Sequence, residues 1–205
     1  MVPKRRVQAL LPVTARGEAT RQRLLRAAEK AFGARGYHET SISDITRRAH
    51  VAQGTFYLYF PGKEAVFREL VDHLGRTLRH HLTAASAGSR ERLAAERRGL
   101  EAFLAFVAQH RDLYRIVLEA QVVDPAAYRR YYTDFARGYA ATLAQAARAG
   151  ELRPGDAAVR AWALMGIGHF AGLRYVVWEQ RKPAAAEIEA LMDFVRRGLA
   201  PEQKT

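Results

Sequence analysis

No cysteine occurs anywhere in the chain. Disulfides, thiolate catalysis and cysteine-based metal sites are therefore excluded, in keeping with a cytoplasmic protein. No apolar run approaches the roughly 20 residues that a membrane-spanning helix needs. The longest candidate, AWALMGIGHFAGLRYVVW, is interrupted by His169 and Arg174, so a membrane partner is not expected. Strand-like alternation of useful length is missing as well. Nor is there a nucleophile motif, a glycine-rich phosphate loop or a conspicuous separated pair of carboxylates, and enzymatic activity is not expected. His73, His80 and His81 share roughly one helix face. Asp72 points to another side, so a solvated face explains them and no metal or cofactor is called for.

Acidic residues are in short supply. Lys and Arg number 33 against 21 Asp and Glu, giving a net charge of +12 and a pI near 10.4 over 205 residues. Such a balance favours a polyanionic partner, and the excess is unevenly placed. Residues 1–63 hold twelve Lys and Arg (Lys4, Arg5, Arg6 and Lys63 among them) and four acidic residues, a surplus of +8. The anion partner belongs to the N-terminal third. The chain is 49% apolar, enough for a real core. VQALLPV follows a basic stretch, as in a signal peptide, but it is short and broken by Pro12. Residues 1–16 are expected to be a basic arm.

The apolar spacing predicts an all-α protein of nine helices. The first should span Gly17 to Arg35, with Leu24, Leu25, Ala28, Ala31 and Phe32 on one face and Gly36 as its stop. Ser41 and Asp44 have capping-box spacing before a short helix from Ile42 to Ala49. A third covers Gln53 to Tyr59, and a long fourth carries Phe67, Leu70, Val71, Leu74, Leu78 and Leu82. A fifth follows around Leu93–Val107, and a brief sixth runs from Leu113 to Glu119. Asp124-Pro125 signals the start of a seventh, with the stripe Tyr128, Tyr132, Phe135, Tyr139 and Leu143 and a stop at Gly150. Asp156 should cap an eighth helix reaching Lys182-Pro183, and the ninth covers Ala184 to Leu199. The expected boundaries separate a short-helixed head over 17–63 from a longer-helixed domain over 64–205.

Within the head, ITRRAHVAQGTFYLYF places two short helices around a tight turn, the pattern whose second helix enters a DNA major groove. Ile45 and Ala49 face the core, Val51 seals the turn, and Phe56 and Phe60 bury the back of the second helix. Gln53, Gly54, Thr55, Tyr57, Leu58 and Tyr59 are left for DNA. Glutamine can pair bidentately with adenine, and a threonine or leucine methyl can pack on the thymine methyl. Tyrosine hydroxyls suit phosphate oxygens, Gly54 permits close backbone approach, and Lys63 stands where one more phosphate could be held. The alternative, a purely structural aromatic corner, gives no reason for the cationic surroundings.

The segment RLLRAAEKAFGARGYHETSISDITRRAHVAQGTFYLYFPGKEAVF (23–67) resembles the N-terminal domain of the TetR family of bacterial transcriptional regulators. Ala28, Phe32, Gly36-Tyr37, Thr40, Ile45, Ala49, Val51, the GTFYLYF block and Lys63-Glu64 carry the likeness. Two positions depart from it: His50 replaces the usual turn glycine and Ala52 the usual serine. The resemblance implies a homodimer, joined through the last two helices, that binds a pseudo-palindromic operator and leaves it when a small molecule enters the C-terminal domain. It also implies DNA contacts from Ser41, Ser43, Gln53, Gly54, Thr55, Tyr57, Leu58, Tyr59 and Lys63. The arm with Lys4, Arg5 and Arg6 would reach a minor groove or simply raise non-specific affinity.

The C-terminal part says less. Aromatic and polar-tipped residues interleaved with Gly166, Gly168, Ala171 and Gly172 suit a pocket between helices, although such stripes usually serve the core. Arg115, Tyr132, His169 and Arg174 are the polar candidates. Phe103, Tyr128, Phe135, Met165 and Trp178 are candidate walls, with Phe106 and Tyr175 beside them. ALMGIGHFAGLRYVVW (163–178) also looks like the eighth helix of TetR-family members that sense acyl-coenzyme A thioesters, with Arg174 as a phosphate partner. Competing with a ligand-responsive repressor are a helical small-molecule carrier or adaptor with a vestigial DNA head and a non-specific DNA-coating protein.

Overall fold

The structure, a computed structural model, describes residues 14–89 and 91–201. Lys4, Arg5 and Arg6 of the expected arm lie outside the described residues. Among those described, the regular structure is helical throughout: α1 (Ala15–Arg35), α2 (Ile42–Ala49), α3 (Gln53–Tyr59), α4 (Lys63–Ser86), α5 (Arg92–Gln109), α6 (Arg111–Val123), α7 (Pro125–Arg148), α8 (Ala157–Ala171) and α9 (Ala185–Leu199). α8 continues directly into a π-helical segment, Gly172–Trp178. The helices form two compact units. One takes the described chain up to Leu74 together with Asp112–Arg129, and the other takes Gly75–Arg111 and Arg130 onward. α4 and α7 each contribute residues to both.

In the first unit, α1 starts earlier than its apolar periodicity suggests because Thr14 Oγ1 accepts from the amide of Gly17 at 3.1 Å. It ends where Gly36 takes a φ of +84°. The Ser41–Asp44 capping box closes the start of α2 in both directions. α2 ends at His50, whose left-handed φ of +53° supplies the turn that glycine usually makes. Leu24, Ala28, Phe32, Ile45, Phe56, Phe60, Phe67 and Leu70 are buried, and Phe32, Tyr37 and Phe67 meet at ring separations of 5.0–5.6 Å.

α6 belongs to this unit and is longer than the brief helix expected. Glu119 accepts the Tyr37 amide at 2.8 Å, and Arg115 donates to the Gly33 carbonyl at 3.3 Å. A Cβ on Gly33 would fall 2.3 Å from the Asp112 Cβ, so only glycine permits this approach.

In the second unit, Asp156 caps α8 by accepting from Ala158 and Val159. The expected single helix to Lys182-Pro183 is replaced by α8 and its π-helical continuation. There Gly172, Tyr175 and Val176 turn inward, and Gln180 reverses the chain at a φ of +51°. Arg174 and Arg181 both sit over the Tyr175 ring, at 4.9 and 4.8 Å. Along α7 the most deeply buried tyrosine is Tyr131, one residue before the Tyr132 of the expected stripe.

Candidate nucleic-acid interface and ligand cavity

α3 is anchored from one side only. Phe56 and Phe60 are buried with ring centroids 5.7 Å apart, whereas Gln53, Gly54, Tyr57 and Leu58 are exposed and Thr55 and Tyr59 are half-buried. Leu58 is 57% exposed, a large apolar side chain with no role in this fold. A Cβ added to Gly54 meets nothing within 4 Å, so internal packing does not demand glycine there. Ala52 precedes α3 without a side-chain cap, and the Thr55 amide donates instead to the Ala52 carbonyl at 2.9 Å.

Ser41 and Ser43 are exposed at the start of α2. The hydroxyl and amide of Ser41, with Arg35 and Arg47 adding to them, hold the Asp44 carboxyl below its ordinary range. Arg48 is exposed on the same helix and has no ion-pair or hydrogen-bond partner among the described residues. It was not among the expected DNA contacts, because nothing in an Arg-Arg pair tells which member is committed to a neighbour.

Lys63 departs from expectation. Its ammonium donates to the carbonyls of Tyr37 at 2.7 Å, Thr40 at 2.8 Å and His38 at 3.4 Å, and it stands 4.2 Å from the Tyr37 ring centre. An ammonium has three N–H groups, and all three are directed at the turn after α1. Lys63 ties that turn to the start of α4.

The second unit holds a half-open cavity of about 430 Å³, lined by α4, α5, α7, α8 and α9. Its apolar wall includes Leu82, Leu100, Phe103, Phe135, Met165 and Met192. The polar groups are Arg79, Arg92, Glu96, Tyr139, Thr142 and His169. Glu96 is a buried carboxylate. It pairs with Arg92 at 2.6 Å and accepts the Tyr139 hydroxyl, and Arg92 also donates to Thr142 at 3.3 Å. Burial and the Glu96 charge push the Tyr139 hydroxyl well above its usual pKa. Burial lowers His169, whose Nδ1 lies 3.3 Å from the Tyr132 hydroxyl.

Of the residues expected around a ligand, Phe103, Phe135, Met165 and His169 line this cavity, and Tyr132 reaches it through His169. Arg115 and Tyr128 fall in the other unit, where Arg115 pairs with Glu119. Arg174 and Trp178 do not line the cavity either. The π-helical turn buries Tyr175 and Val176 and leaves Arg174 paired with Glu179 at 2.9 Å and Trp178 exposed. Arg79, Arg92 and Glu96 were not legible in the sequence, because isolated charges on a helix, and a charged pair four residues apart such as Arg92–Glu96, read as an ordinary solvated face.

The model for bacterial regulatory proteins of the tetR family matches residues 24–70. The uncharacterized HTH-type transcriptional regulator YdgC of Bacillus subtilis is 46% identical over 56 residues, 27% of this chain and 29% of that protein. The HTH-type transcriptional regulator BetI of Yersinia pestis (strain Pestoides F) is 32% identical over 146 residues, covering 63% of this chain and 74% of that protein. Among solved structures, Salmonella enterica GusR superposes with a TM-score of 0.78 at 20% identity, covering 90% of this chain and 97% of its own. FadR from Bacillus subtilis, solved in complex with stearoyl-CoA, gives a TM-score of 0.71 at 17% identity, covering 85% and 97%. These two likenesses speak to the fold. The helix-turn-helix match, together with the likeness across most of BetI, makes this chain a member of the tetR family of bacterial regulatory proteins.

Proposed function

We propose that the protein is a ligand-responsive transcriptional repressor that binds a pseudo-palindromic operator as a homodimer and is released by a small-molecule effector held in the second unit. The observation that carries this reading is α3. Its rear is pinned by Phe56 and Phe60, and its front offers Gln53, Tyr57 and Leu58 to solvent. A glutamine suits an adenine and an exposed leucine a thymine methyl, and the tyrosine hydroxyls suit phosphates. A symmetric dimer would present two such helices about 34–36 Å apart, one per half-site.

The effector class this reading favours is an apolar or aromatic metabolite, acyl-coenzyme A esters included. The stearoyl-CoA complex of FadR is a precedent on the same fold. The apolar wall around Phe103, Phe135 and Met165 supports the apolar part. The phosphate role expected for Arg174 has no support from its position. Whatever binds shifts the balance between DNA-competent and incompetent states only by its differential affinity for the two.

Selection of bound sequences from a random DNA pool tests the reading: a palindrome is expected. Gln53→Ala should then weaken operator binding by about 1–3 kcal/mol and relax one position per half-site. Enrichment of no defined site would overturn the repressor reading and favour a DNA-coating protein or a carrier with a vestigial head.

A further inference from the structure

The charges around the cavity are unequal, and the imbalance specifies a ligand. Arg92 and Glu96 neutralise each other at 2.6 Å, and the remaining acceptor strength of Glu96 is taken by the Tyr139 hydroxyl. Burial lowers the His169 pKa and so favours its uncharged form. Arg79 is different. It lines the cavity and is half-buried, yet it has no hydrogen-bond or ion-pair partner among the described residues. Its guanidinium leans back along α4 into space left by Gly75, where an added Cβ would stand 3.2 Å from Nη1 and 3.1 Å from the Tyr131 ring. Leu82, Thr83 and Ser86 follow at three, four and seven residues and line the cavity on the same face of α4.

We infer that the cavity takes a free apolar monocarboxylic acid, whose carboxylate pairs with the Arg79 guanidinium and whose hydrocarbon body packs against Leu100, Phe103, Phe135 and Met165. The inference rests on the reading that this cavity holds the effector. A half-buried guanidinium without an anion forgoes the bidentate pairing it is shaped for. One carboxylate cancels the net single positive charge, a neutral ligand leaves it standing, and a cation adds to it. A coenzyme A ester brings several phosphates to a site offering one uncommitted cation. At about 430 Å³ the cavity is also near the lower end of small-molecule sites, which span roughly 300–1,000 Å³. Methionine at two wall positions, Met165 and Met192, lets the body be an alkyl chain or a ring.

The test is isothermal titration of the full-length protein with decanoate, decanol, decyltrimethylammonium and decanoyl-coenzyme A, repeated on Arg79→Gln and Arg79→Lys. Decanoate should bind about ten- to a hundredfold more tightly than decanol. Arg79→Gln should abolish that preference while still binding decanol, which shows that the cavity is intact, and Arg79→Lys should retain part of it. Equal affinity for acid and alcohol, tightest binding of the coenzyme A ester, or an unchanged preference in Arg79→Gln would overturn the inference. The same ligands are added to the protein on its selected operator. Release by decanol or the ester but not by decanoate sinks the acid and leaves the repressor reading standing. Tight, Arg79-dependent binding of decanoate without release does the reverse.

Discussion

Lys63 inverts what its residue type suggests, and Gly54 has no packing role inside the fold. A lysine in a basic, DNA-facing segment reads as a phosphate contact, yet its three N–H groups point at the carbonyls of Tyr37, His38 and Thr40. Lys63→Ala should therefore lower stability by about 1–3 kcal/mol in denaturant titrations, since hydrogen bonds from a charged donor are lost in a partly buried turn. At temperatures where the variant stays folded, its operator affinity should fall less than that of Gln53→Ala. A larger loss of affinity than of stability would restore the phosphate role. Gly54 reads as a flaw in a seven-residue helix, and nothing in the fold requires it. Gly54→Ala should raise stability by about 0.5–1 kcal/mol and yet weaken operator binding, because the new methyl projects where DNA backbone or base edges would come. If affinity is retained, close approach at Gly54 is no part of recognition.

At the scale of elements, what could be read in advance was what is local. The Ser41–Asp44 box, Asp124-Pro125 and the Asp156 cap lie within a few residues of what they satisfy, so helix starts were legible. The extent of α6 was not, because its hold on α1 runs through Glu119–Tyr37 and Arg115–Gly33, pairs 82 residues apart. The π-helical turn was hidden for a similar reason. Its apolar residues fit an α-helical period well enough, and the contacts of Arg174 and Arg181 with the Tyr175 ring are not visible in that period. Beyond that turn, Glu187 clamps the start of α9. Its carboxylate accepts two N–H groups from Arg181, at 2.7 and 2.8 Å, and the Ala184 amide at 2.7 Å. The Arg181 bonds first, and the amide second, bring its pKa from 4.5 down to about 2. A carboxylate whose folded value lies below its unfolded one stabilises fully above the unfolded value and loses that contribution as pH falls toward the folded one. The melting temperatures of the wild type and Glu187→Gln should differ at pH 6, draw together as pH falls below about 4.5, and converge only near pH 2. A gap that stays constant over that range would mean the clamp acts through packing and not through charge.

For the whole molecule the decisive question is what covers the second unit's apolar surface. Val159, Trp162 and Phe170 are exposed on α8 and Phe194 on α9, the last at 70%. The α8 set falls on one stripe with Gly166, and Phe194 stands one turn before Gly198; a Cβ on either glycine would meet nothing within 4 Å. Large apolar side chains beside bare backbone are what a second pair of helices needs for close approach, and a solvated surface seldom keeps them. The proposed dimer would use this face, with each α8 and α9 packing against its copy. Two half-sites bound through one linked pair gain on the order of a hundredfold or more over a single head by effective concentration alone. Phe194→Glu should therefore shift the protein toward monomers in sedimentation equilibrium and lower operator affinity by at least that order. Binding to random DNA at low salt, which draws on the charge of each head separately, should change far less. The combined variant Trp162→Glu, Phe194→Glu settles the case of a tolerant interface. A dimer that survives both charges, or a monomer that still holds the full palindrome tightly, would mean that this surface is not what joins the two heads.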